Sequence, residues 1–156
     1  MFRTFLFRLL LMVTIGLAAF AALWIYSLLS KKTPAQKLAA LREEVKPKGG
    51  QVFETTLLDK PVAFLLEGCN LYILDPNGED EVKRQKVLSP GFYFWLDTCT
   101  EQSIRKEGEF VLVYLANRAI GAGGGNTSGG HYRSRNGYDW EKNTETGWLP
   151  LNQAQQ

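Results

Sequence analysis

"VAFLLEGCNLYIL", Val62 to Leu74, is interrupted by one charged side chain, Glu67. A run this rich in aliphatic, aromatic and β-branched residues reads as strand, and two strand readings compete. Asn70–Leu74 can open a meander that continues through Glu81–Leu88 and Phe92–Thr98. Alternatively, the whole stretch is one long strand bent by a bulge at Glu67-Gly68. The choice decides what Cys69 can do. The chain has two cysteines, Cys69 and Cys99, and an even count in an exported domain suggests a disulfide. In the meander Cys69 starts one strand and Cys99 ends another running the same way. Their Cα atoms then lie beyond the ~7 Å that a bridge can span. A bridge therefore demands another strand order or the long bent strand, and with it an oxidising compartment.

Strand and turn signals continue on both sides. "QVFETTLL" precedes the stretch from Gln51. "DPNGED" follows it, with Pro76 in a turn and Asn77-Gly78 suited to positive φ. "EVKRQKVL" returns, Pro90-Gly91 turns again, and "FYFWLDTC" and "EFVLVYLA" read as strands. Phe92, Tyr93, Phe94 and Trp95 alternate faces. One pair is expected in the core, and the other either beneath the segment around Trp148 or, as the alternative, exposed as a contact patch. A last hairpin runs from "HYRS" through a turn at Arg135-Asn136-Gly137 to "YDWEK", and residues 151–156 read as a flexible tail. Seven or eight short strands separated by turns predict a mainly β fold, a small antiparallel β-sandwich or barrel-like domain over residues 51–150.

Within the last hairpin, "YRSRNGYDW" places Ser134, Asn136, Gly137 and Trp140 close together. In residue type this resembles the Asp-box hairpin of sialidase-type propellers. Asn stands in place of Asp, the spacing is one residue short, and there is no second copy as a propeller would require. The resemblance implies a shared way of closing a hairpin, not a propeller.

Working toward the N-terminus, the character changes. From Met1 to Lys48 there are eight Lys/Arg against Glu43 and Glu44, a net of +6, and from Gly49 onward ten Lys/Arg against fourteen Asp/Glu, a net of −4. A polyanion-binding domain should itself be basic, so nucleic acid is excluded as a partner. The basic charge flanks "LLLMVTIGLAAFAALWIYSLL", residues 9–29, which contains no charged side chain. As a helix it would be about 31 Å long, matching a bilayer core of ~30 Å. It is longer than a signal-peptide core of ~7–15 residues. We expect a transmembrane helix here, with Trp24 and Tyr26 at the interface and residues 1–8 as a short cytoplasmic tail.

Counting basic residues at both ends puts the C-terminal domain in the cytoplasm. Against that, a translocated N-terminal tail would carry Arg3 and Arg8 across, with Arg8 close to the membrane core. The expectation is therefore a domain outside the cytoplasm, periplasmic in a bacterial-type envelope. In residues 30–50, Thr33 can cap a helix with Pro34 at its first position. Leu38, Leu41 and Val45 recur at helical spacing. This predicts a short stalk helix ending near Val45, with Pro47, Gly49 and Gly50 as breakers.

The chemistry that the chain could carry centres on the glycine-rich stretch Gly121–Gly130. A phosphate loop needs Lys in G-x-x-x-x-G-K-[ST], and no lysine occurs between Gly121 and Tyr132. No helix N-terminus follows to receive a pyrophosphate. The stretch reads first as a slack connection and second as a partner-binding lip. In the second reading the contact residues are Gly121, Gly125, Asn126, His131, Arg133, Arg135 and Trp140, since arginine and large aromatics are enriched at hot spots. On a strand His131, Arg133 and Arg135 share a face, a small basic edge suited to an acidic partner or an anionic glycan. One histidine and two separated cysteines suggest no metal site, no cofactor is implied, and no nucleophile motif is present. The expected function is protein binding in a cell-envelope assembly by a membrane-anchored domain. An inhibitor or immunity protein that plugs an enzyme is the alternative, and an envelope hydrolase using paired carboxylates such as those around Glu79-Asp80-Glu81 is a third class.

Overall fold

The computed structural model describes Gly16, Leu17, Phe20, Ala21 and Trp24, together with residues 32–78, 81–90, 97–119 and 126–153. The chain divides into two units, Met1–Thr33 and Pro34–Gln156. In the first unit Gly16, Leu17, Phe20, Ala21 and Trp24 are helical, and Lys32 and Thr33 are not. Among the described residues no helix is long and apolar enough to cross a membrane. The rest of the expected span, including Tyr26, lies outside them.

The second unit is built from hairpins between strands adjacent in sequence. Strands β1 (Gln51–Leu57), β2 (Lys60–Glu67), β3 (Asn70–Asp75) and β4 (Lys83–Leu88) form one antiparallel sheet in that order. Strands β5 (Asp97–Glu107), β6 (Phe110–Ala119), β7 (Asn126–Ser134), β8 (Glu141–Thr144) and β9 (Gly147–Pro150) form a second. The mainly β, sandwich-like expectation holds, with nine strands among the described residues.

Val62–Leu74 turns out to be two strands joined by the turn Gly68-Cys69. Both turn residues have positive φ, 56° and 58°, the primed geometry that matches the right-handed twist of a hairpin. The long bent strand is therefore corrected to a hairpin. The stretch is apolar throughout because its sheet is covered on both faces. Ala63, Leu65 and Leu74 pack with Leu38, Leu41 and Val45 of a helix, α1 (Pro34–Val45). Phe64, Leu66, Leu71 and Ile73 point the other way, against Ile104, Val111, Val113, Leu115, Tyr132 and Trp140 of the second sheet. The layers run helix, sheet, sheet. Burying each such large apolar side chain contributes roughly 1.5–3 kcal/mol.

α1 starts and ends where its capping and breaking residues predict, but it is not a stalk. Its apolar stripe is buried on the first sheet, and Arg42 reaches Glu54 of β1 at 2.6 Å. An amphipathic helix lowers its free energy by covering apolar surface, and the outer face of the first sheet supplies that surface.

The disulfide forms between Cys69 and Cys99, with their Cα atoms 5.4 Å apart. Geometry had opposed it only on the assumption that the strand carrying Cys99 extends the first meander. Instead β5 begins the second sheet, which brings Cys99 to the β2–β3 turn. Gln102 holds the same junction: its Oε1 accepts the Cys69 N–H at 2.9 Å and its Nε2 donates to the Gly49 carbonyl at 2.8 Å. β5 also takes in "TEQSIRKE", residues 100–107, which joins the two expected strands "FYFWLDTC" and "EFVLVYLA", while residues 91–96 lie outside the described residues.

The strand directions give the unit two distinct ends. The Gly68-Cys69 turn, the disulfide, the last residues of β6 and the first of β7 lie at one. At the other are the N-terminus of α1 and the Leu58-Asp59, β3–β4 and Gly108-Glu109 connections. There Lys37 donates to the Gly78 carbonyl and Lys106 to the Thr56 carbonyl.

Candidate functional site

Alternation along β6 and β7 sends Val111, Val113, Leu115, Tyr132 and Ser134 inward. It leaves Phe110, Leu112, Tyr114, His131 and Arg133 on the outer face of the second sheet, each at least partly exposed. Whereas α1 covers the outer face of the first sheet, no helix packs on this one among the described residues. It therefore displays large side chains on a flat, hydrogen-bonded platform.

Arg133 organises that face. Its Nε donates to Glu141 Oε2 across the β7–β8 pair at 2.6 Å. Its guanidinium carbon lies 4.5 Å from the ring centre of Phe110 and 4.4 Å from that of Trp148. Arg135 adds a second guanidinium 4.7 Å from the Phe110 ring. Trp148, Arg133, Phe110 and Arg135 thus form a ladder of alternating rings and cations. Each contact is worth roughly 0.5–1 kcal/mol at a partly exposed site. His131, the cross-strand partner of Tyr114, extends the ring-bearing surface with centroids 4.7 Å apart.

The electrostatics differ from the basic edge expected. Glu141 offsets Arg133, and Glu109 lies 4.0 Å from Arg135 with both side chains largely exposed. Asp139 holds Asn136 at 2.7 Å. The arginines are therefore balanced locally, and the face is better suited to planar stacking and hydrogen bonding than to gathering anions. Beside the ladder a groove of ≈ 430 Å³ is lined by Phe110, Arg133, Arg135, Asn136 and Asp139 among others.

The turn next to it is closed by its own side chains. Asn136 Oδ1 accepts the N–H groups of Tyr138 and Asp139, each at 2.9 Å. Buried Ser134 accepts the Gly137 N–H at 2.8 Å and donates to Asn136 Oδ1. Trp140, expected on the contact surface, belongs instead to the core. It is 4% exposed, stands edge-on to Phe64 and donates its indole N–H to the Gly137 carbonyl at 3.0 Å. A ring this large between two sheets contributes more by packing there than by lining a groove. Burial also pushes the Tyr132 phenol above its ordinary value of 10.0.

Of the remaining expected contact residues, Gly121 and Gly125 lie outside the described residues, and Asn126 is the first residue of β7. The glycine stretch is not slack along its whole length, since residues 126–130 are strand. Gly129 has φ 119°, and a Cβ there would sit 2.2 Å from the Leu115 carbonyl oxygen. Glycine at this position lets β7 close on β6.

His131, Arg133 and Arg135 are thus brought together, and Trp140 is withdrawn from them. Sequence reasoning missed Phe110, Glu141 and Trp148 as partners of Arg133. The alternation of "EFVLVYLA" could have put Phe110 on the same face as an outward arginine, but β8 and β9 had to be paired to bring Glu141 and Trp148 alongside. Among the described residues no three His, Cys, Asp or Glu side chains gather as a metal site. No known protein family matches the chain, and no curated protein or solved structure matches it either, so what this surface can do has to follow from its own geometry.

Proposed function

We propose that this chain is a single-pass, membrane-anchored protein whose C-terminal domain lies outside the cytoplasm and binds a protein partner in a cell-envelope assembly. The observation that carries the binding reading is the ladder Trp148–Arg133–Phe110–Arg135 on the outer face of the second sheet. Tryptophan and arginine are the side chains over-represented at binding hot spots. Here they are held rigid by stacking and by Glu141, which lowers the entropy lost when a partner docks. The disulfide supports an oxidising compartment. The anchor rests on the uncharged length of residues 9–29, and helical, exposed Leu17, Phe20 and Trp24 are what lipid-facing side chains require.

Site-specific photo-crosslinking tests the reading in intact cells, with the full chain carrying a photoreactive residue at Leu112 or, as a control, at Lys86 on β4. A discrete protein adduct from position 112, lost when Arg133 and Trp148 are both replaced by alanine in a folded variant, is the expected result. Absence of any adduct specific to position 112 would sink it.

A further inference from the structure

Among the described residues, the end of the domain that carries the α1 N-terminus has a property not seen at the opposite end. From Pro34 onward, the exposed large hydrophobic side chains among the described residues are Leu58 and Tyr138, at 69% and 57% exposure. Leu58 is at the tip of the β1–β2 turn, at the level of the helix N-terminus. Tyr138 lines a groove of ≈ 740 Å³ together with Pro34, Pro61, Asp75 and Asn77. Both therefore belong to the same end.

Leu58 is unusual for a second reason. It and Asp59 occupy the two central turn positions with φ of 49° and 61°. Asn, Asp and Gly are favoured there, and a branched apolar side chain is strained. Neither local backbone preference nor burial accounts for leucine at this tip. A medium that takes up an apolar side chain accounts for it.

Chain length says which medium. If residues 9–29 span the bilayer, the five residue steps from Leu29 to Pro34 cover at most ~18 Å fully extended. The end carrying Pro34 is then held at the membrane. The opposite end lies up to ~35 Å farther out, the length of an 11-residue strand such as β5 at about 3.3 Å per residue. We propose that this end rests on the bilayer interface, with Leu58 and Tyr138 entering the headgroup region. Tyrosine suits that boundary because its ring is apolar and its hydroxyl polar. Exposed Lys60 and Lys83 flank the contact, and Asp59 and Asp75 offset them, so apolar insertion and not anionic attraction supplies the affinity. This proposal rests on the anchor reading of residues 9–29.

The full chain is reconstituted in phosphatidylcholine vesicles containing lipids with a nitroxide quencher near the headgroup. An environment-sensitive dye is attached through Leu58→Cys, separately through Tyr138→Cys, and through Glu101→Cys at the opposite end. Near-ultraviolet circular dichroism verifies folding of each. The expected result is a blue-shifted emission at 58 and 138 that loses most of its intensity to the quencher, with position 101 unaffected. A chain that resists alkaline carbonate while positions 58 and 138 stay unquenched overturns the interface contact alone. Dyes shielded from water yet insensitive to the lipid quencher overturn it in favour of a protein contact. A chain extracted by carbonate overturns the anchor and this proposal together.

Discussion

Cys69 and Cys99 tie a turn of the first sheet to the first strand of the second, with their Cα atoms 5.4 Å apart although they are separated by 30 positions in sequence. Closing a loop of that length stabilises the fold by about 3–4 kcal/mol in the chain-entropy treatment. Replacing both cysteines by serine is expected to lower stability by that amount. Urea unfolding checks it through the free energy extrapolated to water. An unchanged value would mean that the two sheets hold this junction without the bridge.

Gly129→Ala should destabilise the domain well beyond the ~1–2 kcal/mol cost of placing alanine in left-handed backbone, because its methyl would meet the Leu115 carbonyl. Gly108→Ala supplies the reference, since Gly108 also has positive φ but its side-chain position opens on empty space. Equal losses for the two variants, measured by thermal unfolding, would show that β7 is not held against β6 by close approach.

Arg133→Lys keeps the charge and a partner for Glu141 but removes the plane that stacks between Phe110 and Trp148. A loss of about 1–2 kcal/mol is expected from the two ring contacts. In a double-mutant cycle with Trp148→Ala, a coupling of about 0.5–1 kcal/mol identifies stacking as the source. A coupling of zero would reduce the ladder to coincidental proximity.

Leu41→Ala tests whether α1 belongs to the fold. Leu41 is buried among apolar residues of α1 and the first sheet, so its truncation should cost about 2–5 kcal/mol. A helix that merely held the domain away from a membrane would lose almost nothing, and calorimetry separates the two.

Tyr132 makes the domain sensitive to alkali. Burial raises its folded-state pKa above the ordinary 10.0, so the folded state keeps the phenolic proton longer than the unfolded chain does. The resulting stability is fully present below pH 10 and is lost as pH rises through the folded value. Tyr132→Phe, followed by denaturant unfolding between pH 9 and 11, should flatten that decline. A decline of the same steepness in both proteins would place its origin elsewhere.

The strand-rich character, most turn positions and the helix at Pro34–Val45 were legible because each rests on local spacing. What the helix does was not legible. Leu38, Leu41 and Val45 announce a buried stripe, yet only the double-sided burial of Ala63–Leu66 reveals what covers it. The disulfide was left open for a related reason. A run of hairpins says which strands are consecutive, but not where one sheet stops and the next begins, and Cys99 lies just after that break. At the candidate site the alternation of His131, Arg133 and Arg135 was readable from a strand period of two. The burial of Trp140 was not, because it depends on Gly137 folding back beneath Phe64.

Each sheet pairs only strands that are neighbours in sequence, and this has a consequence for how the chain acquires its structure. Low contact order favours rapid folding, so the hairpins of the first sheet can form before β5 has left the ribosome or the translocation channel. The contacts that must wait are those between sheets, and Cys69–Cys99 lies on that seam. Trapping of free thiols during refolding would then time the docking of two preformed halves, with bridge closure as its covalent record.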